Sequence, residues 1–184
     1  MSAKPVRRVV TGHRPDGRSF VLFDGTAPNV KVRHAGNAST LLWLTEESPA
    51  SVAGDEDRAA REIGVPPPRR GTIFRIAEFP PRSGGEVGDN ATVLADFGIG
   101  PEVARGHVPR HPAIHRTRSL DYVVVLEGEI HLLLDEGEVH LRAGDVVVQR
   151  GTNHAWINRS DAICRLAMVF VDAEEPPEIL ALSR

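Results

Sequence analysis

The sequence predicts an all-β fold, an antiparallel barrel or sandwich around a single core. Three observations predict it. Short runs of β-branched and apolar residues recur along the chain, Gly, Pro, Asp and Asn turn signals separate them, and only one internal segment reads as a helix. With 184 residues, 41% of them hydrophobic, the chain is one domain's worth and long enough to bury a core.

The elements follow in order. Arg7 to Thr11 is β-branched. Ser19 to Phe23 follows the turn Pro15-Asp16-Gly17 and stops at Asp24-Gly25. Val30 to Arg33 alternates, and Ser39 to Thr45 is an apolar run. Asp55 to Gly64 reads as the short helix: Asp55 can cap it, acids fill its first turn, Gly64 can end it, and Pro66 to Pro68 forbid its continuation. Strands resume at Thr72 to Phe79, which Pro80-Pro81 stop, and at Thr92 to Phe97. Gly100 to Ile114 is rich in Pro and His and reads as irregular. Then come Tyr122 to Leu126, Glu129 to Leu134, the turn Asp135-Glu136-Gly137, Glu138 to Arg142, Val146 to Val148, Ala155 to Asn158 and Arg165 to Val171. The tail from Pro176 has room for one helical turn. The division expected is an N-terminal β extension over 1–70 with a helix near 55–64, a barrel over 71–172 and a tail over 173–184.

Composition excludes several classes. A formal charge of −3, with Arg scattered among Asp and Glu, gives no basic patch for nucleic acid. No apolar run approaches a membrane span, and no secretory leader is read at Met1 to Val10. The lone Cys164 lies in an apolar run and reads as a buried core residue, consistent with a cytoplasmic protein. Nucleotide-binding glycine loops, Cys-x-x-Cys pairs and nucleophile elbows are all missing.

Chemistry concentrates in two strings. In the first, His115, Thr117 and Asp121 precede Gly128 at even spacing, which puts all three on one face of a continuous strand. In the second, Gly144-Asp145 leads through Gln149 and Arg150 to Gly151, then His154, Trp156 and Asn158. These strings resemble the two motifs of the cupin superfamily, His-x-His…Glu…Gly and Gly…Pro-x-Gly…His…Asn. Asp121 and Gly128 keep the register of the first, and Gly151, His154 and Asn158 match the end of the second. The resemblance covers the C-terminal third to half of the chain. Thr117 stands where the first motif has its second His, Asp121 replaces Glu, and the proline of the second motif is missing.

The resemblance implies an antiparallel cupin jelly-roll barrel with an N-terminal strand extension, and a homodimer. It implies one divalent transition metal, Fe, Zn, Mn or Ni, held by His115, Asp121 and His154 with open positions for water or substrate. Thr117 would hydrogen-bond a metal-bound water or the substrate, and His111, four residues before His115, would move a proton or serve as an exposed loop residue. Trp156 would line the mouth or the core, while Gln149 and Arg150 would reach an anionic substrate or form a solvated turn. Tyr122, at odd spacing, should face away. His131 and His140 read as surface residues, as does His107. The activity expected is lyase or isomerase chemistry on a small organic carbonyl or carboxylate: dehydration, decarboxylation or isomerisation. A non-haem iron dioxygenase and a non-catalytic small-molecule-binding barrel remain open beside it.

Overall fold

The computed structural model of the chain describes residues 3–33, 36–62, 64–82, 89–100 and 109–182. The expectation for His107 lies outside them. Eleven strands and two short helices are present among these residues: β1 (Arg7–His13), β2 (Ser19–Thr26), β3 (Val30–Val32), β4 (Ala38–Thr45), β5 (Thr72–Phe79), α1 (Asn90–Phe97), β6 (Ser119–Glu127), β7 (Glu129–Leu134), β8 (Glu138–Arg142), β9 (Val146–Arg150), β10 (His154–Ile157), β11 (Cys164–Asp172) and α2 (Pro177–Leu182). Neither helix is long and apolar enough to cross a membrane.

All pairing is antiparallel. A six-stranded sheet runs β3-β4-β5-β11-β6-β9, a three-stranded sheet runs β10-β7-β8, and β1-β2 is a separate hairpin. The two larger sheets are the walls of the barrel. One apolar cluster draws on both, with Leu44, Ile73, Val123, Val125 and Leu166 from the first and Ile130, Leu132, Leu141 and Trp156 from the second. Alternation explains the split: in β6, Asp121, Val123 and Val125 are buried while Tyr122, Val124 and Leu126 are exposed. Tyr122 faces away from the barrel interior, as its spacing predicts. Cys164 is fully buried, and burial pushes its thiol up to about 12.

The chain passes from one wall to the other at Gly128, between β6 and β7. Its φ is 75°, and a Cβ there would come within 2.5 Å of the Ile163 carbonyl oxygen. Only glycine fits such a corner. The sheet does not break at residue 70: from the expected extension, β3 pairs with β4 and β4 with β5.

Two expectations fail. Asp55 to Gly64 is not a helix; its described residues are irregular, with turns. The carbonyls a helix would use are taken by side chains. Asn29 donates to Ala59 and Arg61 oxygens at 2.7 and 2.6 Å, and Arg75 donates to the Gly64 oxygen at 2.9 Å. Arg8 holds Asp57 at 2.6 Å, while Asp57 accepts from the Ala59 N–H. Conversely, Thr92 to Phe97 is not a strand but the body of α1. Asp89 caps it by accepting from Thr92 N–H at 2.8 Å, and Gly98 ends it with φ 68°, its N–H turned back to Ala95 and Leu94.

Candidate active site

The barrel interior narrows to a cavity of about 100 Å³ bounded by β4, β5, β6, β10, β11 and α1. His115, Thr117, Asp121, His154 and Trp156 all line it, so sequence spacing brings five of its candidates together. The strand is not continuous, however. Between His115 and Ser119 the chain is irregular, and His115 is held instead by two backbone hydrogen bonds to His154, each 2.9 Å.

That bridge sets the imidazoles side by side, ring centroids 4.5 Å apart. The Nδ1 of His115 faces the Ala113 oxygen at 2.9 Å, and the Nδ1 of His154 faces the Thr152 oxygen at 3.0 Å. A carbonyl only accepts, so both Nδ1 atoms carry the proton. Burial drives the rings to the neutral form, His115 down to about 4 and His154 to about 3, the latter helped by His115 itself. The Nε2 of each ring is therefore left with its lone pair.

Asp121 is 1% exposed. Burial pushes its carboxyl up to about 7, against a Ser119 hydrogen bond and the Arg75 charge, which both pull it down. Ser119 Oγ in turn lies 2.7 Å from Thr117 Oγ1, so three side chains at alternate positions are linked in a line. Arg75, on β5, is 5% exposed and lies over the Phe170 ring at 5.2 Å. Burial, and then the charge of Arg33, lower it to about 9. Arg33 stacks over Phe97 at 5.2 Å and bonds the Asp96 carbonyl, and Phe97 meets His115 edge-on at 4.7 Å. Asn90, at the head of α1, donates to the Pro112 and Ile114 oxygens at 2.8 and 2.7 Å, which ties the helix to the segment carrying His115.

Arg33, Arg75, Asp96 and Phe97 escaped the sequence reading. The Asp89…Gly98 cap pair was the signal for the helix that supplies two of them. Nothing in the sequence marks the two arginines, because pairing of distant strands brings them in.

Three expected residues do not reach the cavity lining. His111 accepts the Ala113 N–H at 3.0 Å and sits in the turn before His115. Gln149 is buried but braces its own loop, donating to the Thr152 carbonyl at 2.7 Å. Arg150 is an exposed residue at the end of β9. The motif residue Asn158 is likewise a brace, donating to Phe79 and Ala162 oxygens at 3.1 and 2.7 Å.

A transition metal finds half of what it needs. The histidines present two neutral Nε2 donors whose orientation backbone carbonyls fix, the arrangement metal ligands use. Among the described residues no three His, Cys, Asp or Glu side chains converge on one point. The expected set of His115, Asp121 and His154 is thus not assembled. Asp121 is drawn to Ser119, with the cation of Arg75 nearby. An ion here would be held by the two imidazoles rather than by the expected three side chains, and the chemistry proposed first below runs through the chain's own residues.

Residues 102–170 match the family model described as Cupin domain. The chain is 58% identical over 179 residues to Phomopsin biosynthesis cluster protein C′ of Diaporthe leptostromiformis, covering 92% of this chain and 79% of that one. It is 32% identical to the Cupin-domain-containing oxidoreductase virC of Hypocrea virens, over 82% of this chain and 66% of that one. Among solved structures, a RmlC-like cupin from Shewanella frigidimarina aligns with a TM-score of 0.43 at 16% identity, covering 80% of this chain and 86% of that one.

Proposed function

The chain belongs to the cupin superfamily, and on that premise we propose that it is an enzyme moving protons on a small organic carbonyl or carboxylate, a lyase or isomerase. The observation that carries this reading is that Asp121, the cation of Arg75 and two neutral imidazoles line one buried cavity. An acid–base group works best when it titrates near the working pH, and Asp121, at about 7, is the group so tuned. The line Ser119–Thr117 gives its proton a route along hydroxyls. Arg75, fixed by the Gly64 carbonyl, sets positive charge against a developing enolate or alkoxide oxygen. His115 and His154 are too weakly basic to take the proton. They accept a hydrogen bond through Nε2 and orient the substrate. Enolisation, dehydration of a hydroxy carbonyl compound and decarboxylation all use this set.

The test is deuterium exchange at C3 of 2-oxobutanoate in heavy water, followed by proton NMR. The wild type should accelerate washout at least about 100-fold over Asp121→Asn. Exchange at the buffer rate with wild-type protein overturns the reading.

A second reading, a metal-dependent oxidoreductase, is favoured by the likeness to the cupin-domain-containing oxidoreductase virC and by the two adjacent Nε2 lone pairs. A bound ion would supply one-electron or oxygen chemistry at the imidazole pair. Elemental analysis of untagged protein beside His154→Ala decides: one equivalent of a transition metal lost in the variant supports it, and no metal after reconstitution removes it.

A further inference from the structure

Four buried polar atoms that find no hydrogen-bond partner in the protein belong to residues around this one cavity. They are Nε of Arg75, Nε1 of Trp156, Oδ1 of Asp121 and Oδ1 of Asn37. Buried polar atoms are ordinarily paired, so four such exceptions around a single small space require an account. Two are obligate donors and two are acceptors. Arg75 and Trp156 are held where they are by other contacts: Nη2 of Arg75 donates to Gly64, and the Trp156 ring packs edge-on to His154, centroids 6.0 Å apart. Between them the wall is apolar, with Phe79, Phe97, Met168 and Phe170.

We propose that the cavity takes a compact hydroxy acid: an apolar body, a carboxylate that accepts from Arg75 and Trp156, and a hydroxyl whose one hydrogen is shared between Asp121 and Asn37. The inference names the substrate class of the site and rests on the reading of that site as a small-molecule pocket. Size sets the body at about four carbons, since a cavity of about 150 Å³ takes benzene and this one is smaller. A carboxylate is preferred to a neutral carbonyl because Arg33 and Arg75 both lie in the wall, and of these Arg33 has Asp96 as its counter-ion at 3.9 Å. The four atoms are sealed into the wall in this state, so a ligand meets them by small side-chain adjustments rather than by filling a wet pocket.

The experiment uses the full chain labelled with nitrogen-15. The sequence has two tryptophans, Trp43 and Trp156, so two indole N–H signals appear, and Trp43→Phe assigns them. The probes are 2-hydroxybutanoate, butanoate and 2-butanol. The hydroxy acid should move the Trp156 signal downfield and bind at least about ten-fold more tightly than either analogue, as expected for lost pairing to buried polar groups. Arg75→Met should erase the advantage over 2-butanol, and Asn37→Leu should reduce the advantage over butanoate. The Asn37 variant keeps the test alive if Arg75→Met does not fold. An unmoved Trp156 signal, or equal binding of the three probes, overturns the proposal. Binding of 2-hydroxybutanoate without any exchange of 2-oxobutanoate sustains this inference while removing the proton-transfer reading, so the two fail separately.

Discussion

The molecule carries two histidine pairs of nearly equal spacing in opposite surroundings. His115 and His154 lie 4.5 Å apart inside the barrel, tilted at 46°, their Nδ1 atoms tied to backbone carbonyls. His131 and His140 lie 4.7 Å apart on the β7-β8 surface, stacked within 9°, and each faces a glutamate: His131 to Glu138 at 3.3 Å and His140 to Glu129 at 3.1 Å. The outer pair is partly exposed, and each ring has a glutamate beside it. The inner pair has no carboxylate of its own and stays uncharged because burial makes charge costly. Residue type is the same and spacing nearly so; burial and hydrogen-bond partners separate a surface pair from an uncharged interior one.

The sharpest way to break the contrast is through Asp121, the carboxylate the inner site holds apart from its imidazoles. Asp121→Asn should lower the exchange rate of 2-oxobutanoate at least about 100-fold, measured by NMR. It should also change stability. The folded carboxyl keeps its proton up to about 7, against 3.8 when unfolded, so the burial penalty on the wild type grows as the pH rises through that range. The variant's gain over wild type in urea unfolding should therefore be larger near pH 8 than near pH 5, by about 2 kcal/mol.

Next is the pH response of the inner pair. Both imidazoles take up protons more readily unfolded, where the value is 6.5, than folded, where it is about 4 for His115 and about 3 for His154. Stability is then fully present above 6.5 and lost as the pH falls toward 4. The double variant His115→Gln/His154→Gln should lose less over that interval, the difference being on the order of 5 kcal/mol by denaturant titration at a series of pH values.

A smaller effect is expected at Gln149, whose bonds hold the loop before His154. Gln149→Ala should cost about 1 kcal/mol of stability, read from the urea midpoint, without altering which probes bind. Smallest of all, His131→Gln and His140→Gln should each move the urea midpoint by less than about 0.5 kcal/mol and leave exchange unchanged, as should Arg150→Ala. An outer-pair variant that abolished exchange would sink the distinction between the two pairs.

Much of the barrel was legible in the sequence because alternation and turn residues are local signals. Thr72–Phe79, Glu129–Leu134 and Glu138–Arg142 match the observed strands to the residue. Asp121 and His154 were legible through their spacing from two glycines. α1 was not, because Thr92, Val93 and Leu94 read as β-formers unless the Asp89 and Gly98 caps are weighed with them. The helix expected over Asp55 to Gly64 failed for the opposite reason: its local signals were good, but distant Asn29 and Arg75 side chains took its carbonyls. Arg75 reaches the site only because β5 pairs with β11 beside β6, a placement no window of sequence contains. His111, Gln149 and Arg150 were read from proximity in the chain, and loops near a site need not face it.

Helix α1 leaves one consequence for how this cavity can change over evolutionary time. Thr92, Val93, Asp96 and Phe97 form part of the cavity wall, yet α1 belongs to no sheet and closes on its own caps. Substitutions at Thr92 and Val93 can reshape what the cavity accepts while the strand ladder that holds Asp121, and the Asn90 tie to the segment carrying His115, stay in place. Selectivity and scaffold are thus partly separable, and a lineage could diversify its ligands by editing the middle of one eight-residue helix.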